Sequence, residues 1–274
     1  MIVACPAVSP CHRPRVPAPN CPGTLDPAHS SSTPAEAGVS IAITTAAPPT
    51  TVDFVATSEP QALDALFNEL LHTEDDALRA ARESAGAADM PPIEVSAQHG
   101  RLLYLLTTIA RAKNVLEIGT LAGYSTINLA RGAGPDGHVV TLEYEPRHAE
   151  IARQNLEHAG VGDRVEILVG AALDTLPTLA DRGETFDLAF IDADKENNVA
   201  YVEWAIKLGR PGTVIIVDNI ARFGRVLDPA PDDLQARAVR DMIEMMGQHP
   251  RLEAAAIQTV GTKGWDGFAV AVVR

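Results

Sequence analysis

The chain has 274 residues, 36 of them acidic and 22 basic, for a net charge of −14. A surface this negative repels phosphate backbones, and aromatics at 4 % offer little for stacking single strands, so no nucleic-acid partner is expected. No run approaches the roughly 18–20 unbroken apolar residues of a membrane span, so no membrane partner is expected either; a hydrophobic content of 46 % is enough for a sizeable core.

The first 55 residues read as a disordered leader rich in Pro, Ala, Ser and Thr. Ten of the 20 prolines fall within residues 1–52, and Arg13, Arg15, Asp26 and Glu36 cancel there, so the whole net charge belongs to residues 53–274. Such a segment cannot bury enough apolar surface to offset the entropy of ordering it. All three cysteines, Cys5, Cys11 and Cys21, lie in it, and with His12 they match no zinc spacing. The leader has no basic start followed by an apolar stretch, so a secretory signal is not expected. A folded part without cysteine suits a reducing cytoplasm, the expected location.

Residues 56–274 form the expected folded domain. Ser58 can cap a helix through Pro60, and Leu63, Leu66, Phe67, Leu70 and Leu71 recur at helical spacing. A second helix starts near Ser96 and carries Leu102, Leu103, Leu105, Leu106 and Ile109. Then the pattern alternates: a strand at 115–118, a helix at 125–131, a strand at 138–143, a helix at 146–159 closed by Gly160, a strand at 164–169, a helix at 171–179 and a strand at 186–192. A helix at 197–208, a strand at 213–218 and a helix at 232–248 come next. Two last strands, 254–260 and 268–273, read as a hairpin turning at Trp265-Asp266-Gly267. This order predicts an α/β fold: a mostly parallel sheet of seven strands, helices on both faces, and a C-terminal antiparallel hairpin.

Ligands of open parallel sheets bind beyond the carboxyl ends of the strands. Four of those ends carry acids: Glu117, Glu143, Asp192 and Asp218. In the first loop, Glu117-Ile-Gly119-Thr120-Leu-Ala-Gly123-Tyr-Ser125, the glycines allow a ligand to approach the backbone. The spacing is not the G-x-G-x-x-G of dinucleotide enzymes, and the formal match at 132–137 follows a helix and precedes a strand, so it reads as a turn. Glu143 can accept from both ribose hydroxyls; the alternative is a cap for the helix at Pro146. Together these favour an adenosine ligand without a pyrophosphate. Asp192, Asp218 and Asn219 offer oxygen donors to a hard cation such as Mg²⁺. The alternative is two strand-end turns with Asn219 in a left-handed conformation. Lys195 stands at a helix start, where the helix dipole disfavours a cation, which points to a role. No G-x-S-x-G, H-E-x-x-H or Walker motif is present.

Ala112-Lys-Asn-Val-Leu-Glu-Ile-Gly-Thr-Leu-Ala-Gly-Tyr-Ser-Thr126, Phe190-Ile-Asp-Ala-Asp-Lys-Glu-Asn197 and Val217-Asp-Asn219 resemble the cation-dependent O-methyltransferases, the family of caffeoyl-CoA and catechol O-methyltransferases, over residues 60–274. The resemblance implies a Rossmann-like methyltransferase fold, S-adenosylmethionine as methyl donor, a divalent cation, a phenolic or catechol-like acceptor and a homodimer. It implies that Val95, Glu117, Gly119, Thr120 and Ser125 contact the methionine part of the cofactor, Glu143 its ribose and Ala172 its adenine. It implies further that Asp192 and Asp194 lie by the amino acid end, that Asp192, Asp218 and Asn219 bind the metal, and that Lys195 is the general base with Asp192 beside it. Two departures bear on the acceptor alone: Asn198 where the family often has Tyr, and Phe223 near a position that is Asn in plant members. Competing readings are a metal-independent methyltransferase, a nicotinamide-dependent oxidoreductase and a non-catalytic cofactor-binding protein.

Overall fold

The computed structural model describes residues 58–274; the leader and its cysteines lie outside the described residues. Seven strands form one sheet: β1 (Asn114–Ile118), β2 (His138–Glu143), β3 (Val165–Val169), β4 (Phe186–Ile191), β5 (Gly209–Asp218), β6 (Leu252–Gly261) and β7 (Gly264–Val273). Their spatial order is β3-β2-β1-β4-β5-β7-β6. The first five run parallel, and β7 lies antiparallel to both β5 and β6. Strand order reverses between β1 and β4, which opens a crevice at their carboxyl ends.

The helices are α1 (Ser58–Leu70), α2 (Asp76–Ala87), α3 (Ala97–Ile109), α4 (Tyr124–Ala133), α5 (Pro146–His158), α6 (Ala172–Asp181), α7 (Asn198–Leu208) and α8 (Leu234–Gln248). Alternate residues of each strand face opposite layers. Leu116, Ile118, Val140 and Val217 pack with Leu176 of α6, Val202 of α7 and Met242 of α8. Val115, Val139, Phe190 and Ile216 pack with Leu103 of α3, Ile127 of α4 and Leu156 of α5. The expected strand–helix alternation is therefore present, and Gly160 follows α5 at φ +68 as a left-handed stop.

Three features differ from the sequence expectation. Helix α2 was not foreseen; its buried face is Leu78, Ala81 and Ala85, too small to give a strong apolar period. The stripe of α1 does not enter the core: Leu63, Leu66, Phe67, Leu70 and Leu71 are all exposed. The hairpin turns at Thr262-Lys263, between the paired Gly261 and Gly264, and not at Asp266-Gly267. Gly264 supplies the left-handed residue at φ +86. Asp266 and Gly267 belong to β7 for other reasons. A Cβ at Gly267 would collide with the Ile257 carbonyl across the hairpin. The Asp266 carboxylate is taken up by the loop after β5, where it accepts from Ala221 N at 2.9 Å and Arg222 N at 3.0 Å. No described helix is long and apolar enough to cross a membrane.

Candidate active site

The crevice is a cavity of about 680 Å³. Its walls come from the β1–α4 loop, the ends of β2 and β4, the start of α6, and the segment before α3 that includes Ile93, Glu94 and Val95. Val95, Gly119, Thr120, Ser125, Glu143, Ala172, Asp192, Asp194, Lys195 and Asn219, all singled out from the sequence, stand on these walls.

Gly119 is required for a reason the sequence did not reveal. At φ +101 it lies against the Asp192 backbone, and a Cβ there would be 2.8 Å from the Asp192 carbonyl carbon and closer still to its oxygen. The close approach that demands glycine is thus between the ends of β1 and β4. Gly123, at φ +85, precedes α4 and faces Ala152 of α5.

Glu143 organises the loop. Its Oε2 accepts from Thr120 N at 3.1 Å and Leu121 N at 2.8 Å, and its Oε1 accepts from Glu145 N at 3.0 Å. It is not the cap of α5; Glu145 holds that position without a side-chain bond. Glu117, by contrast, does not reach the cavity wall. It is fully buried on the α3–α5 side, opposite Thr141 of β2 in the parallel register. Its Oε2 accepts from the hydroxyls of Thr126 and Thr141, and its Oε1 has no partner. Burial pushes its carboxyl up to about 7; the hydroxyls of Ser125, Thr126 and Thr141 pull the other way, and the charge of Asp192 adds to the rise.

At the adjacent ends of β4 and β5, Ile191 pairs with Val217, so Asp192 and Asp218 follow side by side. Lys195 is buried and donates from Nζ to Asp192 Oδ1 at 2.7 Å. Asp218 Oδ1 accepts from Asn219 N at 2.8 Å. Burial raises the Asp218 carboxyl well above the usual carboxylate range, Asp192 raises it further, and Lys195 opposes both. Asn219 does adopt the left-handed backbone, at φ +59. Asp194 lines the cavity with both oxygens engaged, one by the Tyr201 hydroxyl and the other by the Asn197 amide. Among the described residues no three His, Cys, Asp or Glu gather as a metal site; the expected set is two carboxylates and an amide.

A second cavity of about 470 Å³ meets the first at Asn219 and Arg222. It lies between the start of α3 and the hairpin, with Asp218, His99, Leu102, Lys263 and Phe268 on its walls. Arg222 and Phe223 are at φ +51 and +57, a conformation that costs non-glycine residues energy and is held here by the Asp266 carboxylate. Phe223 is largely exposed and packs on Gly264, while Asn198 is fully enclosed with both amide atoms unpartnered. Neither His99 nor Arg222 was singled out from the sequence; neither lies in a motif, and both reach the crevice only through tertiary packing.

A family model described as O-methyltransferase matches residues 68–268. The chain belongs to the S-adenosylmethionine-dependent O-methyltransferase family. A catechol O-methyltransferase of Mycobacterium tuberculosis is 61 % identical over 215 residues, 78 % of this chain and 96 % of the relative. A catechol O-methyltransferase of Niastella koreensis is 44 % identical over 215 residues, 78 % and 97 % of the two chains. Among solved structures, an O-methyltransferase from Bacillus cereus in complex with SAH superposes with a TM-score of 0.78 at 48 % identity, over 80 % of this chain and 100 % of that one. The O-methyltransferase TomG from Streptomyces achromogenes, involved in tomaymycin synthesis and bound to SAM, gives 0.77 at 45 % identity, over 80 % and 99 %. As an O-methyltransferase, the chain carries the expected Rossmann-like sheet with its antiparallel closing hairpin.

Proposed function

We propose that this O-methyltransferase moves the methyl group of S-adenosylmethionine to a hydroxyl of a catechol-like small molecule, with a divalent cation such as Mg²⁺ in the site. The observation that carries this reading is the meeting of Asp192, Asp218, Asn219 and Lys195 at the adjacent ends of β4 and β5, beside a cavity walled by the β1–α4 loop. Two relatives named catechol O-methyltransferase support the acceptor class.

The donor set fits a hard cation. Burial, and after it the charge of Asp192, raises the Asp218 carboxyl, which a cation between the two acids would offset, and Asn219 adds a neutral oxygen. When bound, the sulfonium supplies an activated methyl, and the cation lowers the pKa of a hydroxyl it holds from the usual phenolic value of about 10.

The chain's own residues orient and exclude. Glu143 holds the β1–α4 loop through Thr120 and Leu121, and its Oε1, which takes Glu145 N and lies 3.3 Å from His148 Nδ1, is the oxygen that ribose hydroxyls would share. Ala172 and Asp194, both on the cavity wall, would hold the adenine and the amino acid end respectively. Glu117 acts from behind the wall, fixing the hydroxyls of Thr126 and Thr141. Lys195 is held by Asp192 through its Nζ. With one ammonium proton given up to solvent, that Nζ would have the lone pair to take the acceptor's hydroxyl proton, returning to the ammonium as the oxygen becomes the nucleophile. The second cavity, walled by Leu102 and Phe268, would take the acceptor ring. A homodimer, with the exposed stripe of α1 as its candidate face, and a cytoplasmic location complete the reading.

The deciding experiment pairs calorimetry with chelation. S-adenosylmethionine should bind, and a panel of vicinal diphenols should be methylated only when Mg²⁺ is restored after chelator treatment. No heat at millimolar cofactor would defeat the donor assignment. Unchanged turnover after thorough chelation would remove the metal.

A further inference from the structure

One side chain reaches the crevice from the helical layer and is absent from the motifs. His99 lies in the first turn of α3, where its amide donates to the capping Ser96 Oγ at 3.2 Å. The neighbouring Gly100 brings α3 so close to α4 that a Cβ would be 2.8 Å from the Tyr124 ring and 2.9 Å from Asn128 Nδ2. The helix start is thereby pinned, and the imidazole is delivered over the sheet. It stands edge-on to Phe190, with centroids 6.2 Å apart, and tilts over Phe268 at 5.2 Å. Its Nδ1 lies 3.5 Å from Asp218 Oδ2, while Asp218 Oδ1 is held by the Asn219 amide. One carboxylate oxygen is therefore held by the turn that follows β5, and the other faces the imidazole across the second cavity.

With its hydrogen on Nδ1 the ring would point a donor at Asp218 Oδ2; Nε2 is buried without a partner.

We infer that His99 is a positioning residue that turns the Asp218 carboxylate toward the cation position. This rests on the metal reading proposed above. At 3.5 Å the contact is longer than the 2.7–3.2 Å of a settled N–H···O bond, so the expected effect is at the low end of the 10–100-fold seen for residues that orient metal ligands.

The test uses the full chain and Mn²⁺ as the probe, with free ion followed by electron paramagnetic resonance in the absence of turnover. His99→Leu keeps the bulk and removes the donor; it should weaken Mn²⁺ binding about tenfold. His99→Asn places an amide N–H near the former Nδ1 and should recover most of the affinity, whereas His99→Gln, whose amide reaches the Nε2 position, should not. Calorimetric affinity for S-adenosylmethionine should stay within about twofold throughout, which separates metal positioning from general damage. Wild-type Mn²⁺ affinity in His99→Leu, or equal losses in the Asn and Gln variants, overturns the assignment. Should the Leu variant fail to fold, the Asn–Gln comparison still decides. A wild-type chain that takes up no Mn²⁺ defeats the metal reading itself, and this inference with it.

Discussion

Glu117→Gln gives a direct measure of how strongly the sheet interior resists a charge. The carboxyl is fully enclosed with one oxygen unpartnered, and burial moves its pKa from an ordinary 4.5 to about 7. In the unfolded chain it ionises above 4.5, while in the native state it stays protonated to about 7, so the native state binds the extra proton in between. Stability from this group therefore falls as pH rises across that window. At 1.36 kcal/mol per pH unit the full penalty is about 3 kcal/mol, of which about 2–3 kcal/mol develops between pH 5 and pH 8. Glutamine keeps an oxygen for the Thr126 and Thr141 hydroxyls and cannot ionise. Urea unfolding of both proteins, followed by circular dichroism at several pH values, should show the variant gaining on the wild type by that amount from pH 5 to pH 8. A difference that stays flat across this range would refute the claim that Glu117 folds as the neutral acid.

Gly119→Ala should cost about 3–5 kcal/mol, from a positive φ and a collision with the Asp192 backbone, and it should lower cofactor affinity in calorimetry; an unchanged melting temperature would contradict the packing. Gly100→Ala forces a methyl onto Tyr124 and Asn128 and should cost about 1–3 kcal/mol in thermal unfolding. Asp266→Ala leaves two backbone N–H groups of the strained 221–222 loop without their acceptor. About 1–3 kcal/mol of stability should go, and KM for the acceptor should rise with cofactor affinity intact; equal losses for both ligands would speak against a loop that serves the second cavity alone.

The sheet was legible because its signals are local. Apolar runs such as Val115-Leu116 and Ile215-Ile216-Val217 end at turn residues, and Gly134, Gly160 and Gly209 stop the intervening helices α4, α5 and α7. Helix α2 was not, since Ala81 and Ala85 bury little surface and leave no apolar rhythm. The hairpin turn was misplaced because Asp266-Gly267 has the composition of a turn, whereas its carboxylate serves a loop 44 and 45 residues away and its glycine avoids a carbonyl on the opposite strand. The strand-end acids were readable as a group. What each one touches was not: Glu117 turns away from the crevice into the α3–α5 layer, and Glu143 spends its bonds on the loop. His99 was invisible for the same reason, as its neighbours at 190, 218 and 268 are distant in sequence.

The two cavities share only Ile93, Glu94, Val95, Asn219 and Arg222 along their walls. Leu102, Val260 and Lys263 belong to one chamber alone, on a helix and a peripheral hairpin outside the parallel strands that carry the other. Mutation can therefore reshape the second chamber while the first keeps its form; with the acceptor placed there as proposed above, a lineage built on this scaffold would change the molecule it modifies without rebuilding the machinery that delivers the modifying group.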